Sequence, residues 1–248
     1  MLFAYDEWFN ENILKLNSKP NSEITAIYRG WMMNPEQYLN FYNNLLEKNI
    51  RLITSPKQYS LMHIFPNIYP YLVEDTTKIM TFPLYKDIDI NTIKQNFDKF
   101  IVKDFVKSVK GSSFPSFFDN TISQEKFNSD METFYKFRGQ LLTGGICIKE
   151  YLDLKKYNGV TNEYRAFYVK NTLISLSRNS LQDDNTPEPP KALVEKYSKL
   201  NSVFYTVDFA ELENNEWKII EAGDGSVSGL SDKQDYASFF KALYYSIN

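Results

Sequence analysis

The run VDFAELENNEWKIIEAGDGSVSGL, Val207 to Leu230, constrains this chain more than any other segment. Two β-branched and aromatic stretches, VFYTVDFAEL and WKIIEAG, flank the turn-forming pair Asn214-Asn215 and predict an antiparallel hairpin. Asp208 lies on one strand, Glu221 at the end of its partner, and Asp224 three residues later in a glycine-bearing turn. Three carboxylates can thus converge on one end. Mg²⁺ takes a few carboxylates together with nucleotide phosphate oxygens and water, a demand this set can meet. Acids near turns are also commonly plain solvated charges, and the residues alone leave both readings open.

The pattern is mainly β from Glu163 onward. EYRAFYV, the turn Lys170-Asn171 and LISLS predict a second hairpin. LQDDNTPEPP reads as a surface loop, a helix is expected from Lys191 to Leu200, and SDKQDYASFFKALYYSIN closes as an amphipathic helix. Toward the N-terminus, Ile24 to Trp31 is strand-like. Asn34 before Pro35 is an N-cap with a proline in the first turn of a helix, and RLITSP supplies a second strand. A strand, helix, strand unit of this kind favours a parallel pair and a small α/β lobe. Between Gln58 and Asp98, Pro66, Pro70 and Pro83 limit the chain to short helices and a connection. Phe100 to Ser108 then reads as a strand, KGSSFPSFFDN as a loop, Gln124 to Leu141 as a helix, and GGICIKEYLDL as a strand with a polar exit.

Several side chains in these elements suit a nucleotide. Alternation along FIVKDFVKS puts Lys103 and Lys107 on one face, beside a loop with Gly111, Ser112 and Ser113 whose N–H groups can meet phosphate oxygens. The same lysines also fit solvated edge-strand charges. Arg165 alternates with Glu163, Phe167 and Val169; it either pairs with Glu163 or reaches a transferring phosphate. A strand leaving one lobe through Glu150, Tyr151 and Leu152 can bind an adenine through its backbone, with Asp153 at the ribose, although an ordinary core strand has the same pattern. His63 and Cys147, the single histidine and cysteine, read as structural. There is no P-loop or dinucleotide fingerprint.

Composition narrows the class. The 248 residues suffice for one large domain or two to three small lobes. A net charge of -3 offers no field for nucleic acid or an acidic membrane. One cysteine excludes an intramolecular disulfide and a multi-cysteine zinc cluster, and fits a reducing compartment. No apolar run approaches the about 18 residues of a membrane span, and MLFAYDEWFNENILK lacks the features of a signal peptide. A cytoplasmic protein is expected.

In their order along the chain, these pieces resemble the ATP-grasp superfamily. YRGWMM at Tyr28 to Met33, VKDFVKS, EYRAFYV and the VDFA to IEAGDGSVSGL pair resemble its Arg-two-Lys clade, from Ile24 to the C-terminus. The resemblance implies an α+β ATP-grasp fold. Two α+β lobes, residues 96–152 and 153–248, would grip ATP, preceded by an α/β lobe, residues 1–95, on the acceptor side. It further implies that Lys103, Lys107 and Ser108 contact phosphates and that Arg165 acts with Lys107 at the γ-phosphate. Glu150, Tyr151, Leu152 and Asp153 would hold the adenosine, and Asp208, Glu221 and Asp224 would hold Mg²⁺. Arg29 would face the substrate. EAGD stands where the family usually has ExN, and the usual separate first lysine has only Lys78 as a candidate. The implied activity is an ATP-dependent carboxylate-amine ligase working through an acylphosphate on small-molecule or peptide substrates. The alternatives are a phosphotransferase acting on a small molecule, and a catalytically inactive nucleotide-binding module.

Overall fold

In a computed structural model, which describes residues 1–109 and 113–247, the first 55 residues build a small lobe. Its elements are α1 (Tyr5–Glu11), β1 (Ile24–Ala26), α2 (Pro35–Leu46) and β2 (Ile50–Leu52). β1 and β2 run parallel, with Ile24 opposite Ile50, as a helical crossover requires. At the start of α2 the Asn34 side chain accepts the Gln37 N–H, and the Gln37 side chain accepts the Asn34 N–H, so two otherwise orphaned donors are satisfied. The strand expected through Trp31 stops at Ala26, because the Tyr28 hydroxyl donates to the Trp31 carbonyl at 2.6 Å and closes a turn there. Tyr38 stacks on Tyr59 with 3.8 Å between ring centroids, beside buried Trp8 and Phe41.

Short helices follow, α3 (Pro56–His63) and α4 (Phe65–Ile68), as the prolines dictate. β3 (Ile79–Pro83) was not anticipated, since the proline-rich stretch hides a strand whose last residue is itself a proline. After α5 (Ile90–Lys94) come β4 (Lys99–Asp104), β5 (Phe118–Asp119), α6 (Gln124–Arg138) and β6 (Gly145–Glu150). The resulting sheet has the order β3-β6-β4-β5, so it recruits chain from before residue 96. β4 also ends sooner than its pattern suggests. The buried Asp104 carboxylate accepts the N–H groups of Val106 and Lys107, each at 2.7 Å, and the chain doubles back until Ser108 bridges to Lys103. Simple alternation therefore does not relate Lys103 to Lys107.

The remaining chain forms β7 (Lys156–Tyr157), β8 (Val160–Thr161), β9 (Glu163–Val169), β10 (Thr172–Arg178), α7 (Lys191–Lys196), β11 (Phe204–Glu211), β12 (Trp217–Asp224) and α8 (Tyr236–Ile247). Both expected hairpins are present. Lys170 and Asn171 adopt φ of 46° and 68°, which suits a tight antiparallel turn. The second sheet has the order β10-β9-β11-β12. Met62, Phe65 and Ile68 of the short helices, Cys147 of the first sheet, and Val207, Phe209 and Ile219 of the second share one apolar cluster. Ile219 N–H donates to the Asp75 carbonyl at 2.7 Å and Thr76 Oγ1 to the Ile219 carbonyl at 2.8 Å, which ties the second sheet to the connection ahead of β3. The fold is α+β, and no helix among the described residues is long and apolar enough to cross a membrane.

Gly145 permits the close approach of β3 to β6. A Cβ there would lie 2.6 Å from the Phe82 carbonyl oxygen and 2.5 Å from the Phe105 ring, and the carbonyl belongs to a ladder that cannot withdraw. Gly145→Ala should cost about 1–3 kcal/mol, the usual range for overpacking. Urea titration should show a lower midpoint with an unchanged slope.

Candidate active site

The two sheets face one another across a cleft, and charged side chains from both meet in it. Lys103 on β4 pairs with Cys147 on β6, and Ile101 with Lys149, so both lysines project from the same face as diagonal neighbours. Both are buried, with their ammonium groups 4.9 Å and 4.5 Å from the centre of the Phe65 ring. Across the cleft, Glu221 of β12 accepts Lys103 Nζ at 3.0 and 2.9 Å through its two carboxylate oxygens. Lys149 Nζ donates to the Ile220 carbonyl. Burial draws Lys149 down to about 8. Burial alone would raise Glu221, but the nearby Lys103 and Lys149 hold it below the ordinary carboxylate range.

Register carries the pattern across three strands. Glu221 stands opposite Asp208, and Asp208 stands opposite Arg165. Arg165 grips Asp208 with Nε at 2.7 Å and Nη2 at 2.6 Å, while Nη1 donates to the Gly229 carbonyl at 3.0 Å. Its guanidinium is held above its usual value chiefly by the Asp208 charge. Glu163 is not its partner, since that carboxylate accepts the Thr161 hydroxyl instead. Despite the turn at Asp104, Lys107 still reaches this site, and it takes part in no salt bridge among the described residues. The cleft is a cavity of about 550 Å³, lined on one side by Lys103, Lys107, Ser108 and Lys149 and on the other by Arg165, Asp208 and Glu221. Glu150, Tyr151 and Leu152 form its rim.

Other expected residues lie elsewhere. Asp153 is exposed and does not line the cleft; its carbonyl accepts the Glu213 N–H at 3.1 Å, and Leu154 takes its place in the wall. Asp224 does not join Asp208 and Glu221 in a three-acid cluster. Its odd spacing of three from Glu221 turns it to the opposite face of β12. Among the described residues, no group of three or more His, Cys, Asp or Glu side chains is arranged to hold a metal. Asp224 is instead fully buried beside a cavity of about 80 Å³ that adjoins the cleft, with Oδ1 accepting the Ser226 N–H at 2.9 Å and Oδ2 without a partner. Burial pushes its carboxyl up to about 7.

Arg29 does not line the cleft. It donates to the Gly225 carbonyl and lies 5.8 Å from both the Phe167 and Phe239 rings, which fastens the first lobe to the second sheet. Lys78 binds the Asn96 side chain at 3.2 Å and does not line the cleft, whereas Lys149 does. Its signal was available, as a lysine inside the apolar run ICIKEY two residues after Cys147. Gly111 and Ser112 lie outside the described residues. His63 stacks on Tyr59 at 4.8 Å, is drawn down to about 4 by burial, and lines two adjoining cavities. Cys147 is buried, its thiol pushed up to about 11 by that burial, as an inert core residue should be.

The family model for ATP-grasp domains of the Arg-two-Lys clade, family 3, matches residues 91–243. No curated protein sequence matches. Among solved structures, D-cycloserine synthetase DcsG is similar with a TM-score of 0.59 at 14% identity, over 90% of this chain and 84% of that one. The D-alanine–D-alanine ligase from Bacillus anthracis, complexed with ATP, gives 0.55 at 16% identity over 84% and 72%. N5-carboxyaminoimidazole synthetase from Staphylococcus aureus, complexed with ADP, gives 0.60 at 13% identity over 90% and 60%. At such identities the likeness establishes the fold.

Asp224 yields a pH test. Its carboxyl holds a proton more tightly folded than unfolded, so the native state loses stability as pH rises from about 4 to about 7 and keeps that deficit above. Asp224→Asn retains an oxygen for the Ser226 N–H and removes the charge. The variant should melt above the parent at pH 8, with the difference narrowing as pH falls through 7 toward 5. Thermal unfolding across that range checks it, and equal destabilisation at every pH would contradict it.

Proposed function

The chain belongs to the Arg-two-Lys clade of ATP-grasp domains, family 3, and from that premise we propose that it is an ATP-dependent carboxylate-amine ligase working through an acylphosphate. The observation that carries the proposal is the cleft itself, where Lys103, Lys107 and Lys149 face Arg165, Asp208 and Glu221 between two sheets. Four cations suit a triphosphate. The rim from Glu150 to Leu152 suits the adenosine end. Ser108 adds a hydroxyl beside Lys107 for a phosphate oxygen.

Asp208 and Glu221 suit Mg²⁺, being hard oxygen donors opposite one another in register and open to the cleft. When bound, the ion offsets phosphate charge. In this proposal an oxygen of the substrate carboxylate bonds to the γ-phosphorus while the bond to the bridging oxygen breaks, and ADP leaves with that electron pair. The amine nitrogen then bonds to the carbonyl carbon, phosphate departs with the former carboxylate oxygen, and the nitrogen releases a proton. Lys103 and Lys149 hold the nucleotide phosphates, and Lys107 meets the transferring group. Arg165, its fork oriented by Asp208, stabilises the charge that builds during transfer. Catalysis of this kind rests on positioning and electrostatics rather than on a covalent side-chain intermediate.

Incubation with Mg-ATP, a panel of carboxylic acids and hydroxylamine tests the reading, because hydroxylamine converts an acylphosphate into a hydroxamate. Hydroxamate and ADP in equal amounts are expected. A phosphorylated product inert to hydroxylamine would indicate a phosphotransferase, and ATP binding without ADP release from any acid would indicate an inactive module. Lys103→Met should weaken ATP binding by about ten- to a hundredfold, the worth of a charge-assisted contact. Arg165→Met should lower the rate of ADP formation by a similar factor with a smaller effect on ATP affinity. Calorimetric titration with a nonhydrolysable ATP analogue and steady-state kinetics separate the two.

A further inference from the structure

Three cavities lie in series. The nucleotide cleft shares Lys107, Arg165, Asp208 and Glu221 with the small cavity beside Asp224. That small cavity shares Met32, His63 and Val106 with a third cavity of about 230 Å³. The third is walled by Tyr5, Phe9, Trp31 and Met33 of the first lobe and, across from them, by Arg138 and Leu141. Trp31, Met32 and Met33 come from the YRGWMM segment, but none of the residues given a nucleotide or metal role lines this cavity.

Its chemistry differs from that of the cleft. The Arg138 charge is answered by buried Asp104, at 2.8 Å through Nε and 2.7 Å through Nη2, and its Nη2 also donates to the Leu141 carbonyl at 2.8 Å. Asn34 and Gln37, also in the wall, are neutral amides whose side-chain oxygens each accept the other's backbone N–H at the start of α2. No lining side chain therefore offers an unanswered charge. The rest of the lining is mixed, with His63, Gln140 and Thr143 beside apolar surface that is partly uncovered, Trp31, Leu141 and Tyr5 being exposed by 52%, 51% and 48%. The backbone beneath Trp31 is set in advance. The Tyr28 hydroxyl binds the Trp31 carbonyl, while the Tyr59 hydroxyl accepts the Met33 N–H at 3.0 Å and donates to the Met33 carbonyl at 2.7 Å. An exposed indole on a fixed backbone is an aromatic contact lacking a partner. By contrast, the adjoining cavity holds Lys107, an ammonium without a salt bridge among the described residues.

We propose that the third cavity binds an aromatic or large aliphatic side chain of the carboxylate substrate, whose carboxylate lies beyond the wall of Met32, His63 and Val106, next to Lys107. The inference rests on the ligase reading and selects the acid within it. Small acids leave the Trp31 ring uncovered, and charged side chains find no unanswered counter-charge in these walls, so burying a charge there is unfavourable.

Two measurements on the full chain test this. In the first, phenylalanine, tryptophan, leucine, alanine, glutamate and lysine, each free and N-acetylated, are compared for hydroxamate formation with Mg-ATP. The aromatic and leucine acids should show at least about a tenfold advantage in kcat/KM, the worth of burying one such side chain in part. Trp31→Ala should erase most of that advantage through KM, and Leu141→Lys should shift preference toward glutamate. Equal use of small and charged acids, or a preference unmoved by both variants, overturns the proposal while leaving the ligase reading intact. The second measurement is intrinsic fluorescence with a nonhydrolysable ATP analogue present, titrating N-acetylphenylalanine against N-acetylalanine. A saturable change for the former, absent in Trp31→Phe, supports the pocket even where no acid turns over, an outcome that removes the ligase reading alone. No saturable change overturns the pocket. Melting curves of Trp31→Ala and Leu141→Lys confirm that both variants are folded.

Discussion

The contact between Lys103 and Glu221 joins the two sheets at the place where the chemistry would occur. Lys103 is almost wholly buried in the first sheet, and its only carboxylate partner among the described residues comes from the second. Placing an ammonium there without a counterion would be costly, so the first sheet depends on β12 for its lysine to be tolerated. Lys149 repeats the arrangement with a backbone carbonyl, and Phe65 supplies a ring face to both cations. The mutual closeness of the sheets thus follows from charge as well as from the apolar cluster beneath.

Much of this was legible because it depends on neighbours in sequence. The Asn34 cap, the Lys170-Asn171 turn and the pairing of β11 with β12 are short-range features, and all are where their residues predict. The misreadings have a common physical origin. Asp104 ends β4 by accepting two N–H groups just ahead of it, while Arg138, 34 residues away, secures that carboxylate. Nothing in the alternation of FIVKDFVKS reveals a turn whose anchor is so distant. Asp224 likewise looks like a third metal acid in one dimension, yet the two-residue period of a strand turns it away from Glu221. Lys149 is hidden in the sequence for the opposite reason. Its significance is that it is buried, which a sequence indicates only through apolar neighbours.

The charges of the cleft neutralise one another in the absence of a nucleotide. Lys103 faces Glu221 and Arg165 faces Asp208, so two candidate metal acids and two candidate phosphate cations are mutually paired. Such pairs are not strong stabilisers when buried, because desolvation offsets much of the Coulomb attraction. Their value here is in holding side chains near the geometry that Mg-ATP would require, with a triphosphate and a divalent ion exchanging for partners of the same sign. Lys107, carrying no such partner among the described residues, can meet whichever anion arrives first.

The first lobe is coupled to this arrangement through the far end of β12. Arg29 reaches the Gly225 carbonyl immediately after Asp224, and the Gly30 N–H donates to the Ser226 carbonyl at 3.2 Å. The segment from Tyr28 to Met33 therefore does two things at once: its arginine binds the residue that follows the strand carrying Glu221, and its Trp31 and Met33 wall the third cavity. A displacement of either would be felt by the other, since fewer than five residues separate them on a backbone pinned by two tyrosine hydroxyls. Arg29 thus acts as a fastening between the lobes, and in the proposed reading the recognition of the substrate side chain falls to Trp31 and Met33 beside it.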